Sequence, residues 1–361
     1  MSSLHPINSF GKADLKEHVI SLGEKQYRAK QLWNWLYVKG AKSFSEMNNI
    51  GKELRGKLTL SNNFQRLNIY DNQVSNDGTR KWVFELSDGN KIETVFIPEE
   101  ERGTLCISSQ VGCTLACSFC HTGTMPLVRN LTSDEIVGQL LIVKDCLDDW
   151  HDLNKKRKIT NIVFMGMGEP LYNYDEVKKA IQIFLDNEGL NFSRRKITLS
   201  TSGVVPKIEK LKNDLDVSLA ISLHAVSNEV RNNLVPINRK WPIEKLLEVL
   251  TNYPGVNNSR RITFEYVMLE GINDTINDAK ALVKLLKSIP AKVNLIPFNP
   301  WPGSTYKCSS IEVINKFADV VCSDGGIVAT VRQPRGQDIL AACGQLKSDS
   351  VRIKNKFKKL N

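Results

Sequence analysis

The chain has 361 residues, of which 41% are hydrophobic, and a formal net charge of +10. This length allows one large domain and a smaller one, and the composition is typical of a folded globular protein. The first thirty residues are polar and no apolar run approaches the ~18 residues that span a bilayer, which argues against a signal peptide and a membrane helix. We therefore expect a cytoplasmic protein whose cysteines are ligands, nucleophiles or core residues rather than a disulfide framework.

The N-terminal residues 1–65 are predicted to form a small all-α accessory domain. Helical periodicity indicates helices over 15–22, 27–40 and 44–60. Trp33, Trp35 and Tyr37 fall in the second of these helices. Aromatic side chains at this spacing are more typical of a core, although they could also stack on RNA bases. We expect this domain to contact RNA.

A β pattern begins near residue 82, where two apolar runs flank the turn SDGN and predict a hairpin within 66–103. Strands and helices then alternate through 104–335, and capping boxes at 132–135 and 173–176 open two of the helices. Such βα repeats predict an α/β fold, a partial (β/α)6 TIM-like barrel with the β-hairpin as an extension, followed by a loop and basic tail over 336–361. The strands are expected near 104–109, 161–165, 196–200, 217–223, 262–268 and 293–297, with a further one near 327–332.

Three cysteines with C-x3-C-x2-C spacing follow the first barrel strand: Cys113, Cys117 and Cys120. Three thiolates can hold three corners of a cubic iron–sulfur cluster and leave the fourth iron open to a small molecule. Because the triplet lies after a strand, it is expected at the carboxyl end of the barrel, where α/β proteins place reactive groups. The spacing therefore predicts a site of chemistry.

Polar residues also follow the later barrel strands. Each alone is more typical of a turn or a cap, but together with the cysteine loop they predict a ligand pocket. Glu169 in GMGEP is suited to bind an ammonium group, and its neighbouring glycines allow close backbone approach. The strand-end segments are 166–170, 200–203, 222–224 and Asn299.

The remaining cysteines differ in their surroundings. Cys146 and Cys322 fall in predicted amphipathic helices and are expected in the core, and Cys308 lies in a polar turn without an evident partner. Cys106 lies in an apolar strand, which by itself favours a core position. Cys343 lies in the small-residue segment AACGQ, which would leave its thiol accessible.

Basic residues form two clusters. Lys155 to Lys158 make one block, and the tail after Gly344 carries a second set: Lys347, Arg352, Lys354, Lys356, Lys358 and Lys359. Such clusters suit a phosphate backbone, although each block alone is more typical of a solvated loop or a frayed tail.

The triplet, GMGEP and the βα repeat together resemble the radical S-adenosylmethionine (SAM) superfamily. Within it, the segments CISSQVGC, LSTSG, SLHA and AACGQL resemble the RlmN/Cfr family, and most closely its RlmN branch of adenine-C2 methyltransferases acting on 23S rRNA and tRNA. This resemblance implies one [4Fe-4S] cluster bound by Cys113, Cys117 and Cys120. It also implies a SAM pocket at the strand ends, lined by Gly168, Glu169, Ser200, Ser222, Leu223, His224 and Asn299. It also implies three catalytic residues: Cys343 as the methyl carrier, Cys106 as its thiol partner and Glu93 as the proton acceptor.

The implied chemistry explains these parts. Carbon 2 of adenine is electron-poor and cannot attack the methyl group of SAM, whereas a cysteine thiolate can. Hydrogen abstraction from S-methylated Cys343 then gives a carbon radical that adds to the ring. Proton removal by Glu93 and attack by Cys106 on the Cys343 sulfur release the product and leave a disulfide, with two SAM consumed per methyl group.

Several alternatives remain at this point. The segment Cys117 to His121 matches a c-type haem attachment site, but Cys113 is then unexplained and export would be required. A structural zinc site of the three cysteines and His121 would describe a non-catalytic RNA-binding protein. Within the family, a Cfr-like enzyme would methylate adenine C8 of rRNA instead. The resemblance further implies an electron donor such as flavodoxin, and we expect a monomer without membrane contact.

Overall fold

The computed structural model describes residues 4–64, 66–150 and 156–348. Ten α-helices, α1 to α10, occur in this part of the chain. In chain order they are Lys12–Ser21, Tyr27–Tyr37, Lys52–Ser61, Ser133–Leu147, Tyr174–Leu185, Val205–Asp214, Asn228–Leu234, Ile243–Thr251, Ile276–Leu286 and Ile311–Gly325. None of these helices combines the length and apolarity needed to cross a membrane.

The described residues also contain fourteen strands, β1 to β14. In chain order they are His5–Pro6, Asn62–Asn63, Asn68–Val74, Arg80–Glu85, Lys91–Pro98, Gly103–Cys106, Gln110–Val111, Arg129–Asn130, Asn161–Phe164, Ile197–Thr201, Ser218–Ser222, Ile262–Met268, Ala291–Pro297 and Val328–Val331. Ten of them form one sheet in the order β14-β13-β12-β11-β10-β9-β6-β5-β4-β3.

The sheet has a parallel part and an antiparallel part that meet at β6. Strands β6 and β9 to β14 are parallel neighbours, whereas β3, β4 and β5 are antiparallel. Because β5 occupies the free side of β6 and β14 ends the other side, the parallel strands do not close into a ring. This open α/β barrel confirms the predicted fold class.

Helices α1 to α3 pack through apolar side chains that include Trp33 and Tyr37, with 1% and 2% of their surface exposed. Trp35 is partly buried against the same core. The core interpretation of these aromatic residues is therefore confirmed for Trp33 and Tyr37. The predicted helix over 44–60 is wrong in its first half, because a 3₁₀ turn at Phe44–Glu46 precedes α3 and Gly51 caps that helix with an extended backbone.

Two other local predictions are corrected. The capping box at 132–135 is present, but Asn173 makes no side-chain cap. Its amide instead donates to the carbonyls of Ser109 and Leu131, at 2.9 and 2.7 Å, and so ties the helix start to the loop after β6. Strand β3 was missed because NIYDNQV is polar and lies at the edge of the sheet, where period-2 burial is weak.

The positions of two cysteines differ from the expectation, and one basic cluster is described in part. Cys146 and Cys322 are exposed rather than in the core. In the block at 155–158, Lys156 pairs with Glu101, and Arg157 donates to the Leu190 carbonyl at 3.1 Å. Lys156 and Arg157 therefore make contacts within the protein, with the loops that contain Glu101 and Leu190. Lys155 and the tail beyond residue 348 lie outside the described residues.

Candidate active site

The loop with Cys113, Cys117 and Cys120 leaves the carboxyl end of the barrel after β7. Its turns are closed by its own backbone, since the Cys120 amide donates to the Cys117 carbonyl at 3.1 Å and the Gly123 amide donates to the Cys120 carbonyl at 3.0 Å. A Cβ atom at Gly123 would lie 2.4 Å from the Cys117 oxygen. Only glycine fits this approach, and the loop geometry therefore depends on it.

The three thiols lie within electrostatic range of one another. Burial raises the pKa of Cys113 to about 12, and the charge of Cys120 adds to this rise. The pKa of Cys117 is raised well above its usual value by burial and then by the charges of Cys120 and Cys113. Burial also raises the pKa of Cys120. Such a set of partly buried thiols fits an iron–sulfur cluster, because three thiolates that approach one another, with Arg231 as a cation near Cys117, are stabilised by the positive charge of bound iron.

His121 does not join these thiols as a metal ligand. Its Nδ1 atom lies 3.1 Å from the Gln345 carbonyl oxygen, and its ring stacks on Trp301 with centroids 4.6 Å apart and an interplanar angle of 9°. Across the described residues, no three His, Cys, Asp or Glu side chains converge as ligands of a single metal ion. The donor geometry thus disfavours the zinc alternative with His121 as the fourth ligand.

Glu169 lies beside the cysteine loop, with only 2% of its surface exposed. Its Oε1 accepts from the Leu171 amide at 3.1 Å and its Oε2 accepts from the Ser202 amide at 2.9 Å. Burial raises its pKa to about 7 against the effect of these hydrogen bonds. Gly168, at φ +98°, has no room for a Cβ because Gln110 would lie 2.5 Å away. The glycine thus allows GMGEP to pack on the chain just before the cysteines.

The ends of β10 and β11 carry the predicted pocket residues Ser200 and Ser222, and a buried arginine holds both strand ends. Arg231 is fully buried and donates to the carbonyls of Ser202, Ser222 and Leu223 at 2.7, 3.1 and 2.9 Å. This residue was not predicted, because a basic side chain on a polar helix gives no sign of burial in the sequence. It replaces the water that would otherwise solvate these carbonyls.

His224 is held with one fixed proton position. Its Nδ1 accepts from the Val267 amide at 3.1 Å, so the ring proton resides on Nε2 in the neutral form. Burial lowers its pKa to about 3. The ring also meets Phe119 of the cysteine loop edge-on, with centroids 4.7 Å apart. His224 is therefore a neutral donor beside the cysteine loop.

The segment 341–348 is hydrogen-bonded to the cysteine loop and to the loop that follows β13 of the barrel. The carbonyls of Gly344 and Leu346 accept from the His121 amide at 2.7 Å and from the Thr122 hydroxyl at 2.6 Å. On the barrel side, the Gln345 amide group donates to the Pro300 carbonyl at 2.7 Å. Gln345 and Trp301, which donates to the Phe119 carbonyl at 2.9 Å, were both missed. The sequence marks them only by position, because Gln345 lies two residues after Cys343 and Trp301 lies two residues after Asn299.

Asn299 contacts this segment directly. Its Nδ2 donates to the Cys343 carbonyl at 3.2 Å, and its Oδ1 accepts from Gln337 at 2.8 Å. Both ends of the amide are thus engaged by the chain itself. The structure places Asn299 as a support of Cys343, and its predicted contact with SAM stays a prediction.

Cys343 and Cys106 are brought together from opposite ends of the barrel sequence. Burial raises the pKa of Cys106 to about 12, and the nearby charge of Cys343 raises it further. The pKa of Cys343 is also raised to about 12 by burial, with further contributions from Glu265 and Cys120. Cys343 nevertheless has an exposed surface. Cys343 is therefore open to solvent at the same place where its thiol lies close to Cys106 and Cys120.

Glu93 lies on β5, two residues before Val95, which pairs with Cys106. Its carboxylate accepts from the Lys347 amide at 2.8 Å and lies 3.3 Å from the Lys81 ammonium group. Burial raises its pKa, and Lys81 opposes that rise. The predicted proton acceptor is therefore next to the Cys343 segment and carries a buried counter-ion that the sequence did not reveal.

Comparison with known proteins identifies the family. The family model described as the Radical SAM superfamily matches residues 107–286, and that of the Ribosomal RNA large subunit methyltransferase N-terminal domain matches residues 7–62. The chain is 54% identical to "Dual-specificity RNA methyltransferase RlmN" of Rhodopseudomonas palustris (strain BisB5), over 95% of this chain and 89% of that protein. It is 58% identical to the protein of the same name from Parvibaculum lavamentivorans, over 94% and 87% of the two chains.

A solved structure supports the same conclusion. The crystal structure of a radical SAM methyltransferase from Sphaerobacter thermophilus matches with a TM-score of 0.88 and 40% identity, over 95% of this chain and 99% of that one. The match therefore includes the N-terminal helices, the antiparallel extension and the barrel. From these relatives and from the cysteine geometry described above, the chain belongs to the RlmN family of radical SAM methyltransferases.

Proposed function

We propose that this chain methylates carbon 2 of a specific adenine in 23S rRNA and in tRNA, with Cys343 as the methyl carrier. Membership of the family makes it a radical SAM RNA methyltransferase that uses a [4Fe-4S] cluster and SAM. The observation that supports a methyl carrier on the protein is the position of Cys343, which lies within electrostatic range of both Cys106 and the proposed cluster ligand Cys120. A radical enzyme without a protein-bound methyl carrier would not need two further thiols there.

The binding roles are assigned to the residues at the barrel mouth. We assign Cys113, Cys117 and Cys120 to the cluster. When bound, the reduced cluster and SAM supply an organic radical that can remove a hydrogen atom from a methyl group. Glu169 can accept from the ammonium group of SAM with the lone pairs that the backbone leaves free. The proposed SAM pocket consists of Gly168, Glu169, Ser200, Ser222, Leu223, His224 and Asn299.

The catalytic roles follow from exposure and charge. Cys343 is exposed, and its position is held by Asn299 and by the His121 contact with Gly344. Glu93 can take the C2 proton, since burial raises its affinity for a proton while Lys81 keeps the charged form accessible. Attack of the Cys106 thiol on the sulfur of Cys343 would break its bond to the methylated base and form the disulfide.

The position of the new methyl group is tested by the product. The reconstituted enzyme is incubated without oxygen with SAM, a reductant and unmodified 23S rRNA or tRNA, and the digested RNA is examined by mass spectrometry. We expect 2-methyladenosine from both RNAs. Formation of 8-methyladenosine would instead support the Cfr-like alternative. If only one of the two RNAs were methylated, the proposal that the enzyme acts on both would be wrong.

We further propose that the enzyme acts in the cytoplasm as a monomer and receives its electrons from a donor such as flavodoxin. Support comes from the family resemblance and from the RNA substrates. Reduced flavodoxin should sustain turnover in place of a chemical reductant, and the mass of the active species should be near the 40.7 kDa of one chain.

A further inference from the structure

One face of the sheet continues from Cys106 on β6 across the antiparallel strands β5, β4 and β3. Cys106 of β6 pairs with Val95 of β5, and Glu93 lies on the same face because side chains alternate along a strand. Glu93 pairs with Val83 of β4, which pairs with Asp71 of β3. Directly paired residues share a face, so this face continues from Cys106 to the edge of the sheet.

The edge strand is interrupted on this route. The pairing of β3 with β4 shifts in register between Ile69 and Asp71, which leaves Tyr70 as an extra residue. Such bulges redirect a side chain and are frequent beside active sites. Tyr70 is 60% exposed. A large aromatic side chain is thus presented to solvent at an irregular point of the sheet.

Lys91 shows on which face of the sheet the Tyr70 ring lies. The Lys91 ammonium group lies 3.3 Å from the centre of the Tyr70 ring. Lys91 precedes Glu93 by two residues on β5 and therefore projects from the same face. The ring consequently lies on the face of Glu93, two strands away, or roughly 10 Å at the usual spacing between strands.

The last described residue contacts the strand that carries Lys91. The Ser348 hydroxyl donates to the Lys91 carbonyl, so the described chain ends beside Lys91. The sequence that follows contains five basic residues against one acidic residue, Asp349. The basic residues are Arg352, Lys354, Lys356, Lys358 and Lys359. Their attachment point favours a polyanionic ligand at this edge.

We propose that Tyr70, supported by Lys91, is a stacking platform for an unpaired nucleotide that neighbours the target adenosine. The inference rests on the proposed function, because it needs RNA at the barrel mouth. Single-stranded RNA is bound by this combination of an exposed aromatic ring and a cation, since every base offers a flat face and every nucleotide a phosphate. No base-specific contact is required.

The test compares Tyr70→Ala, Tyr70→Phe and Ile69→Ala in the full-length, cluster-loaded enzyme. Ile69 is a matched control, because it is 46% exposed on the same strand but faces the opposite side of the sheet. With an unmodified tRNA transcript, Tyr70→Ala should raise KM about tenfold, consistent with the loss of one stacked base. Tyr70→Phe and Ile69→Ala should stay near the wild type, and methyl loading of Cys343 without RNA should be the same in all four proteins.

Direct binding separates failure of the platform from failure of the proposed function. The affinity for the fluorescent transcript is measured by anisotropy, which needs no turnover, and Tyr70→Ala should weaken it by about the same factor. If Tyr70→Ala had the same KM and RNA affinity as the wild type, the platform proposal would be wrong. It would also be wrong if Ile69→Ala lost as much RNA affinity as Tyr70→Ala, because both losses would then indicate a damaged edge strand. An inactive wild type that still binds RNA through Tyr70 would contradict the methylation proposal alone.

Discussion

The turns of the loop with Cys113, Cys117 and Cys120 are closed by its own backbone, whereas the segment around Cys343 is positioned by distant parts of the chain. In the loop, hydrogen bonds join residues three apart, such as Cys120 to Cys117. In the segment, Cys343 is bound by Asn299, and Lys347 is bound by Glu93, 254 positions earlier. The cysteine loop is therefore shaped by short-range hydrogen bonds and anchored by long-range ones, such as that from Trp301 to the Phe119 carbonyl, whereas the Cys343 segment depends on long-range contacts for its position.

This difference separates two tasks. A locally closed loop can present three thiols at fixed spacing, as a cluster requires. A segment tied to both the cluster loop and the extension can place a methyl carrier between the cluster and the RNA. The two regions should therefore fail in different ways when they are altered.

The largest effects should come from the cysteines themselves. Cys117→Ala removes a proposed cluster ligand and should abolish both methyl transfer and iron binding. Cys343→Ala should abolish methyl transfer but retain the iron, because that segment supplies no ligand. Iron assay and RNA methylation of the two reconstituted variants measure this difference. Loss of iron from Cys343→Ala would contradict the separation of tasks.

Cys106→Ala should stop the reaction after the base has joined Cys343. Without the second thiol there is no attack on the Cys343 sulfur, and RNA should remain attached to the protein. Denaturing electrophoresis with labelled RNA would show a slowly migrating protein–RNA species that Cys343→Ala does not form. If Cys106→Ala released methylated RNA freely, Cys106 would not be the resolving thiol.

A pair of glycine substitutions tests how each region is held. Gly123→Ala places a methyl group 2.4 Å from the Cys117 carbonyl, which should destabilise the loop by about 1–3 kcal/mol and lower the iron content. Gly344→Ala introduces a side chain at φ +82° with ordinary spacing to the nearest atom outside its immediate neighbours, at a cost of about 1–2 kcal/mol.

The two variants should differ in their readouts. Gly344→Ala should retain iron and lose part of the methyl loading of Cys343, which mass spectrometry of the intact protein measures. Gly56→Ala is the control, since its Cβ meets no atom within 4 Å in helix α3. Equal iron contents for Gly123→Ala and this control would show that the loop does not depend on Gly123.

The SAM pocket should respond to pH through Glu169. Its pKa is raised by burial to about 7, so the carboxylate that would accept from the SAM ammonium group is progressively protonated below that pH. We expect SAM affinity to fall as pH decreases through about 7, with proton release on binding below that pH, where free Glu169 still carries a proton. Equilibrium binding of SAM from pH 6 to 8, with Glu169→Gln as the reference, measures this dependence. If the wild type and Glu169→Gln had identical pH profiles, Glu169 would not bind the SAM ammonium group.

The smallest effect should come from Lys81. Its ammonium group opposes the rise in the pKa of Glu93, so Lys81→Met should raise that pKa further. If Glu93 must be ionised to accept the C2 proton, the acid limb of kcat/KM should move to higher pH, while Lys81→Arg should stay near the wild type. An unshifted limb in Lys81→Met would indicate that another group takes the proton.

Much of the fold could be predicted from residue patterns alone. The strands of the barrel were visible because parallel strands are buried on both faces and appear as apolar runs. Edge strand β3 was not visible, because its side chains are polar and half exposed. The helix expected over 44–60 failed for a local reason, since the extended backbone at Gly51 was not evident before the structure.

The site residues divide in the same manner. The cysteine triplet was evident from spacing, and Cys343, Cys106 and Glu93 were assigned by resemblance to a family. Arg231 and Lys81 gave no signal and Gln345 only its closeness to Cys343, because a basic or amide side chain has the same appearance in sequence whether it is buried or solvated. Their partners are carbonyls and a carboxylate supplied by other elements.

The sequence by itself determined the alternation of strands and helices, the cluster motif and the family, because these depend on local periodicity and short spacing. Only the tertiary structure decided that the Cys343 segment rests on Asn299, His121 and Glu93, and that Tyr70 stands on the face that leads to Cys106. These relations depend on strand register and on hydrogen bonds between residues far apart in the chain. Such pairs meet only when burial of the shared core aligns the elements that carry them.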